Sequence, residues 1–203
     1  MKLSSLIVAG IGLTVSLLFA ADSDLPRKAP ELAFTVPGHG DELLSQTRGK
    51  VVALEFILTT CPHCQAASRV MSQLQRDYGS RGFQALDLAI NAADDGRTPA
   101  QANDLVQAFA NTYQTAFPVG WTPRDQMLAF TGFSITNRFV VPQLILIDRK
   151  GMIRFQTPPL GDPLAMQEAT IRQRVEDLLN ESASTSNKHT ARPTKTALAK
   201  RPS

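Results

Sequence analysis

Val51-Val52-Ala53-Leu54-Glu55-Phe56-Ile57-Leu58-Thr59-Thr60-Cys61-Pro62-His63-Cys64 is the stretch whose reading decides the fold. Its first eight residues are apolar at every position except Glu55, as in a strand covered on both faces of a parallel sheet. It ends in a C-x-x-C that holds the only two cysteines of the chain. Downstream, Ala67, Val70, Met71, Leu74 and Tyr78 recur at helical spacing, which predicts an amphipathic helix over 62–80, bracketed by Gly79 and Gly82. The apolar run from Phe83 to Ile90 predicts a second strand, so the unit is a right-handed parallel crossover.

A C-x-x-C at a strand-to-helix turn reads as a redox pair. Cys61, at the helix start, is the expected nucleophile. Backbone N–H groups and the helix dipole there lower a thiol pKa from about 8.5 into the range 3.5–7. Cys64, one turn deeper, is the expected resolving thiol, which attacks the mixed disulfide between Cys61 and a substrate. A structural bridge closing so short a loop stabilises little. A zinc site needs more ligands than two cysteines, and no paired His or second C-x-x-C follows. Gln65 after Cys64 excludes a haem-attachment motif. His63, between the thiols, can hydrogen-bond the Cys61 sulfur or stabilise its anion by charge. Glu55 is a costly carboxylate in an apolar strand leading to the site. It reads as a proton shuttle for Cys64 with a pKa raised by burial, the alternative being a strand-edge residue with a local partner. His39 and His189 have no assigned role.

Working outward, residues 21–50 are a Pro- and Gly-punctuated entry with Leu32-Ala33-Phe34-Thr35 as a short edge strand. Thr98-Pro99 starts a helix striped by Ala102, Leu105, Val106, Phe109 and Tyr113. Thr122-Pro123-Arg124-Asp125 repeats that signal, with Asp125 placed for a capping box. Val140 to Asp148 reads as a strand with Pro142 at its entrance, and Met152 to Gln156 as its hairpin partner after Arg149-Lys150-Gly151. Asp162-Pro163 starts a last helix with Ile171, Val175 and Leu178 on one face. On the residues alone Pro142 is an ordinary trans proline, since only about 5–6% of X–Pro bonds in folded proteins are cis. A cis bond would leave the Val141 backbone free to pair with an incoming peptide. Trp121 is expected in the core, the alternative being a loop that lines a substrate groove.

The ends differ from the middle. Residues 1–20 carry no charge after Lys2 and run apolar to Ala20, a secretory signal pattern with a cut after Ala20, or else an N-terminal anchor. Either implies export to a compartment where disulfides persist. Residues 181–203 form a Ser-, Thr- and Lys-rich tail of net charge +4, expected to be disordered. The chain's formal +3 therefore leaves residues 21–180, one domain, at −2, which gives no basic surface for nucleic acid.

The motifs resemble the thioredoxin-like superfamily, specifically the exported TlpA/ResA-type thiol–disulfide oxidoreductases, over residues 28–180. Leu54-Glu55-Phe56 with Cys61-Pro62-His63-Cys64 is similar to the active-site region of DsbA. The chain order, with Phe117-Pro118-Val119 closing an insert and then Val141-Pro142-Gln143-Leu144-Ile145-Leu146-Ile147-Asp148-Arg149-Lys150-Gly151, resembles TlpA. The resemblance implies an α/β thioredoxin-like fold: a central mixed sheet built as βαβ then ββα, flanked by helices, with a helical insert between the halves. It implies that Pro142 is the family's cis-proline and Glu55 its buried acid. Thr60 stands where the family commonly has Trp, and Gln143 where it has Thr. Thr60 and Val141 are the candidate substrate contacts.

The expected function is disulfide exchange with exported protein thiols by a monomer. Its redox centre is the Cys61–Cys64 disulfide, with no cofactor or metal, and a membrane or soluble redox partner is implied. Pro62-His63 leans towards an oxidising pair, whereas TlpA-like relatives are often reductants. Two other readings compete. A thiol peroxidase would need Pro and Thr where Leu54 and Leu58 stand. A copper-binding assembly factor would need a C-x-x-x-C and a well-placed distal His.

Overall fold

The Val51–Ile57 stretch forms the middle of an eight-stranded mixed sheet. The computed structural model describes residues 24–136 and 138–189, and of 182–189 the backbone alone. Along the chain come β1 (Arg27–Lys28), β2 (Ala33–Val36), β3 (Gly40–Leu43), β4 (Val51–Ile57), α1 (Pro62–Tyr78) and β5 (Phe83–Ala89). Then follow α2 (Pro99–Tyr113), β6 (Val119–Trp121), α3 (Arg124–Thr131), β7 (Gln143–Ile147), β8 (Met152–Gln156) and α4 (Glu168–His189). The sheet order is β1-β8-β7-β4-β5-β6-β2-β3. β4 is parallel to β5 and antiparallel to β7.

All seven residues of β4 are buried, because the sheet is covered on both faces. Ala53 and Ile57 join a core with Met71 and Leu74 of α1, Val106 and Phe109 of α2, and Ile171 and Val175 of α4. Val52, Leu54 and Phe56 point the other way, onto Leu32, Phe34, Met127 and Phe130. The Phe56 and Phe130 rings meet edge to face with centroids 5.9 Å apart. Each such side chain contributes about 1.5–3 kcal/mol when fully buried.

Several boundaries differ from the expectation. β2 is not an edge strand: it lies between β3 and β6, pairing with both. The insert is not purely helical, since β6 extends the sheet in parallel beyond β5. Asp125 makes no capping box. α3 has Pro123 as its N-cap, which carries no side-chain acceptor, so the helix starts uncapped; the Thr122 hydroxyl, one residue earlier, donates to the Ala33 carbonyl at 3.0 Å and ties β6 to β2. β7 begins only at Gln143, after the proline.

The last helix starts at Glu168 rather than at Asp162-Pro163. Asp162 Oδ1 accepts from the N–H groups of Leu164 and Ala165, so the same capping chemistry closes a turn there. α4 then continues to His189, so 181–189 is helical where composition suggested disorder. A helix already seated on the core propagates at little cost per residue. The expected signal or anchor segment 1–20 and the rest of the tail, from 190, lie outside the described residues. Among the described residues, no helix is long and apolar enough to cross a membrane.

Candidate active site

β4 feeds directly into the turn that carries the thiols. Asn91, just past the end of β5, holds that turn: its Oδ1 accepts from Thr59 N–H and its Nδ2 donates to Thr59 Oγ1, both at 3.2 Å. Gln65 Nε2 donates to the Thr59 carbonyl at 3.3 Å, and Cys61 N–H to the Leu58 carbonyl at 3.1 Å. The loop is thus fixed from the neighbouring strand and from the helix it starts.

Cys61 is the N-cap of α1, with extended backbone (φ −84°, ψ 119°) and Pro62 at the first helical position. Its sulfur takes the place of a capping oxygen and accepts the Cys64 N–H at 3.4 Å. An N–H and a helix dipole aimed at sulfur support a nucleophilic thiol. Cys61 is half-buried and Cys64 fully buried, and both stand as free thiols. Burial pushes the Cys64 thiol far above its ordinary value, against a lowering backbone hydrogen bond from Leu58, with Cys61 and the Glu55 charge adding to the rise. The two sulfurs therefore sit in different surroundings, one at the surface and capped, one sealed beneath it.

Across from Cys61 is the loop before β7. The Cys61 thiol lies 3.8 Å from the Val141 carbonyl, and the Val141–Pro142 bond is cis, as the family resemblance implied and the residues alone did not. Gln143, which departs from the family's usual residue, is fully buried and faces no substrate. Its Nε2 lies 2.7, 3.3 and 3.2 Å from the carbonyls of Val140, Pro158 and Pro159, and its Oε1 accepts from Thr157 Oγ1 at 2.7 Å. It braces the proline loop from behind.

Glu55 is fully buried, which excludes the strand-edge alternative. It pairs in register with Asp87 of β5, also fully buried. Burial raises the Glu55 carboxyl well above the carboxylate range, and the Asp87 charge raises it further. Burial likewise lifts Asp87 from 3.8 to about 7, against lowering hydrogen bonds. Asp87 Oδ2 lies 2.5 Å from Ser68 Oγ, which is also 3.0 Å from the Cys64 carbonyl.

Thr60, Pro62 and His63 are exposed around Cys61. The sulfur's hydrogen-bond partners are the Val141 carbonyl and the Cys64 N–H rather than the His63 ring. His39 instead meets Glu42 at 3.3 Å. Trp121 packs against the α1-side core, with Nε1 donating to Asn103 Oδ1 at 2.8 Å. Among the described residues, no cluster of three or more His, Cys, Asp or Glu could hold a metal.

Reading the sequence missed Asp87, Ser68, Asn91 and the bracing role of Gln143. A signal existed for Asp87. It is a lone acid in the apolar run Phe83–Ile90, and parallel pairing of that run with β4 sets it beside Glu55.

The profile of the AhpC/TSA family matches residues 26–156. The chain is 28% identical over 152 residues to the thiol-disulfide oxidoreductase ResA of Geobacillus kaustophilus, covering 73% of this chain and 79% of that protein. It is 26% identical over 129 residues to the thioredoxin-like protein YneN of Bacillus subtilis, covering 63% and 68%. Among solved structures, a Chlorobium tepidum protein provisionally named thiol:disulfide interchange protein DsbE superposes with a TM-score of 0.60 at 26% identity, over 77% of this chain and 98% of that one.

Proposed function

Because this chain belongs to the AhpC/TSA family and sets two unlike thiols one above the other at a helix start, we propose that it is a thiol–disulfide oxidoreductase acting on protein thiols and disulfides. The observation that carries this reading is the Cys61–Cys64 asymmetry: a capped sulfur at the surface and a fully buried thiol one turn below. Cys61 attacks a substrate disulfide and forms a mixed disulfide. Cys64 then attacks the Cys61 sulfur, the second substrate sulfur leaves as a thiolate, and two electrons have moved from the enzyme dithiol to the substrate. Run backwards, the same steps oxidise a substrate dithiol.

The Val141 N–H makes no backbone hydrogen bond among the described residues and lies beside the Val141 carbonyl that meets Cys61. An extended substrate segment pairs there, next to exposed Thr60 and the exposed apolar side chains of Val140 and Leu160. His63 is exposed beside the Cys61 turn and makes no hydrogen bond to the sulfur. The protein works outside the cytoplasm, on the strength of the apolar 1–20 segment, and is recharged by a redox partner. The peroxidase reading gains nothing: Leu54 is packed in the core on the sheet face opposite Cys64.

The test is a glutathione redox titration with mass-spectrometric alkylation. We expect one two-electron transition between a dithiol and a Cys61–Cys64 disulfide. In the reduced protein Cys61 is alkylated and Cys64 spared, and Cys64→Ser accumulates a mixed disulfide on Cys61. Equal, slow labelling of both thiols would overturn the assignment.

A further inference from the structure

Glu55 and Asp87 face each other on adjacent strands, in register, on the sheet face covered by α1 and α4. Parallel neighbours lie about 4.8 Å apart, so the two carboxyls share one site. Both residues are fully buried. Among the described residues, the Glu55 oxygens and Asp87 Oδ1 have no hydrogen-bond partner other than the opposing carboxyl. Among the described residues, the surroundings supply no compensating cation. α1 presents Cys64 and Ser68, α4 presents Ile171, Val175 and Leu178, β6 places Val119 opposite Asp87, and β7 places Leu144 opposite Glu55. Two carboxylates in such a site cannot both ionise at neutral pH.

We infer, resting on the oxidoreductase reading above, that Asp87 is a positioning residue for the resolving step: it shares a proton with Glu55 and thereby frees Glu55 to take the proton of Cys64. The Cys64 S–H breaks and its proton goes to Glu55. The proton Glu55 held passes to Asp87. The Cys64 thiolate then closes the bond to the Cys61 sulfur while the substrate thiolate leaves. In the reverse direction each transfer runs backwards.

Ser68 adds a structural reporter. A hydroxyl carries one proton, and Ser68 Oγ is within reach of two acceptors, the Cys64 carbonyl at 3.0 Å and Asp87 Oδ2 at 2.5 Å. Ser68 donates to Asp87 while that carboxyl is ionised, and protonation of Asp87 releases the hydroxyl proton to the Cys64 carbonyl. The protonation of Asp87 is thus coupled to the backbone of the resolving cysteine.

The experiment uses the full chain, reduced and mixed with an aromatic disulfide reagent whose two thiol equivalents are released in succession, from pH 5 to 9. For Asp87→Asn, which keeps the shape and an acceptor for Ser68, we expect the first release to stay within about twofold. The second should slow about tenfold and lose its inflection near neutral pH, since losing a primary general base costs about a hundredfold or more. A second-release profile superimposed on that of the unaltered protein would overturn the role of Asp87 and leave the oxidoreductase reading standing. Absence of any second release from the unaltered protein would sink both. Should Asp87→Asn fail to fold, infrared spectroscopy of the unaltered protein decides. A buried protonated-carboxyl band at pH 7 is expected, and its absence overturns the inference.

Discussion

Gln143 with Thr157, just past the end of β8, and Glu55 with Asp87 on adjacent strands are both buried polar pairs, and they are treated in opposite ways. The first pair is saturated: the Gln143 amide reaches three carbonyls, its oxygen takes the Thr157 hydroxyl, and that hydroxyl oxygen accepts the Leu144 N–H at 3.0 Å. The second pair leaves three carboxyl oxygens with no partner beyond the opposing carboxyl. A satisfied network rigidifies its surroundings, and here it holds the proline loop against Cys61. An unsatisfied acid pair costs stability, and such groups in native structures call for a chemical explanation. Beneath a buried thiol that must lose a proton, the explanation we propose is proton transfer. One cluster sets the shape of the site and the other its chemistry.

The contrast can be broken most forcefully through pH. Asp87 is lifted from 3.8 to about 7 in the folded protein. Its folded value lies above its unfolded one, so the stability it favours is present below about pH 4 and is lost as pH rises through 7. At about 1.4 kcal/mol per pH unit of separation, the total is on the order of 4 kcal/mol. Urea unfolding at pH 4 and pH 8 should show Asp87→Asn gaining on the unaltered protein by that order as pH rises. A constant difference between the two proteins would remove the charge from the account.

Glu55→Gln comes next. It should slow the resolving step about a hundredfold, equivalent to about 3 kcal/mol of barrier, with attack by Cys61 little changed. Stopped-flow release of the two substrate thiols reads both steps. On the saturated side, Gln143→Ala should destabilise by about 2 kcal/mol, because it orphans buried carbonyls. Gln143 does not titrate, so that loss should be the same at pH 5 and pH 8. Smallest is Thr157→Val, expected to cost about 1 kcal/mol in the same unfolding measurement with unchanged second-step kinetics. A pH-dependent loss in either variant would merge the two clusters into one.

Much of this was legible in one dimension. Local periodicity marked β4, α1 and β5, because a strand covered on both faces must be apolar and a helix on one face must be striped. Glu55 stood out against that background for the same reason. Asp87 carried an equal signal but needed the parallel register to acquire a meaning. The starts of α3 and α4 were misplaced because α3 takes Pro123, not Thr122, as its N-cap and the Asp162 carboxylate caps a turn instead of the helix. Gln143 stood out in the sequence only as a departure from the family's usual Thr, and only the return of residues 157–159 shows what it holds.

The chain's order of residues by itself determined the thiol pair, its place at a helix start, and the acid in the strand beneath it, since these are features within one short segment. Tertiary structure alone decided that a second acid faces the first, that the Val141 carbonyl meets Cys61, and that Cys64 is sealed from water. Each of those depends on strands far apart in sequence being brought side by side, where burial and proximity change what a carboxyl or a thiol can do.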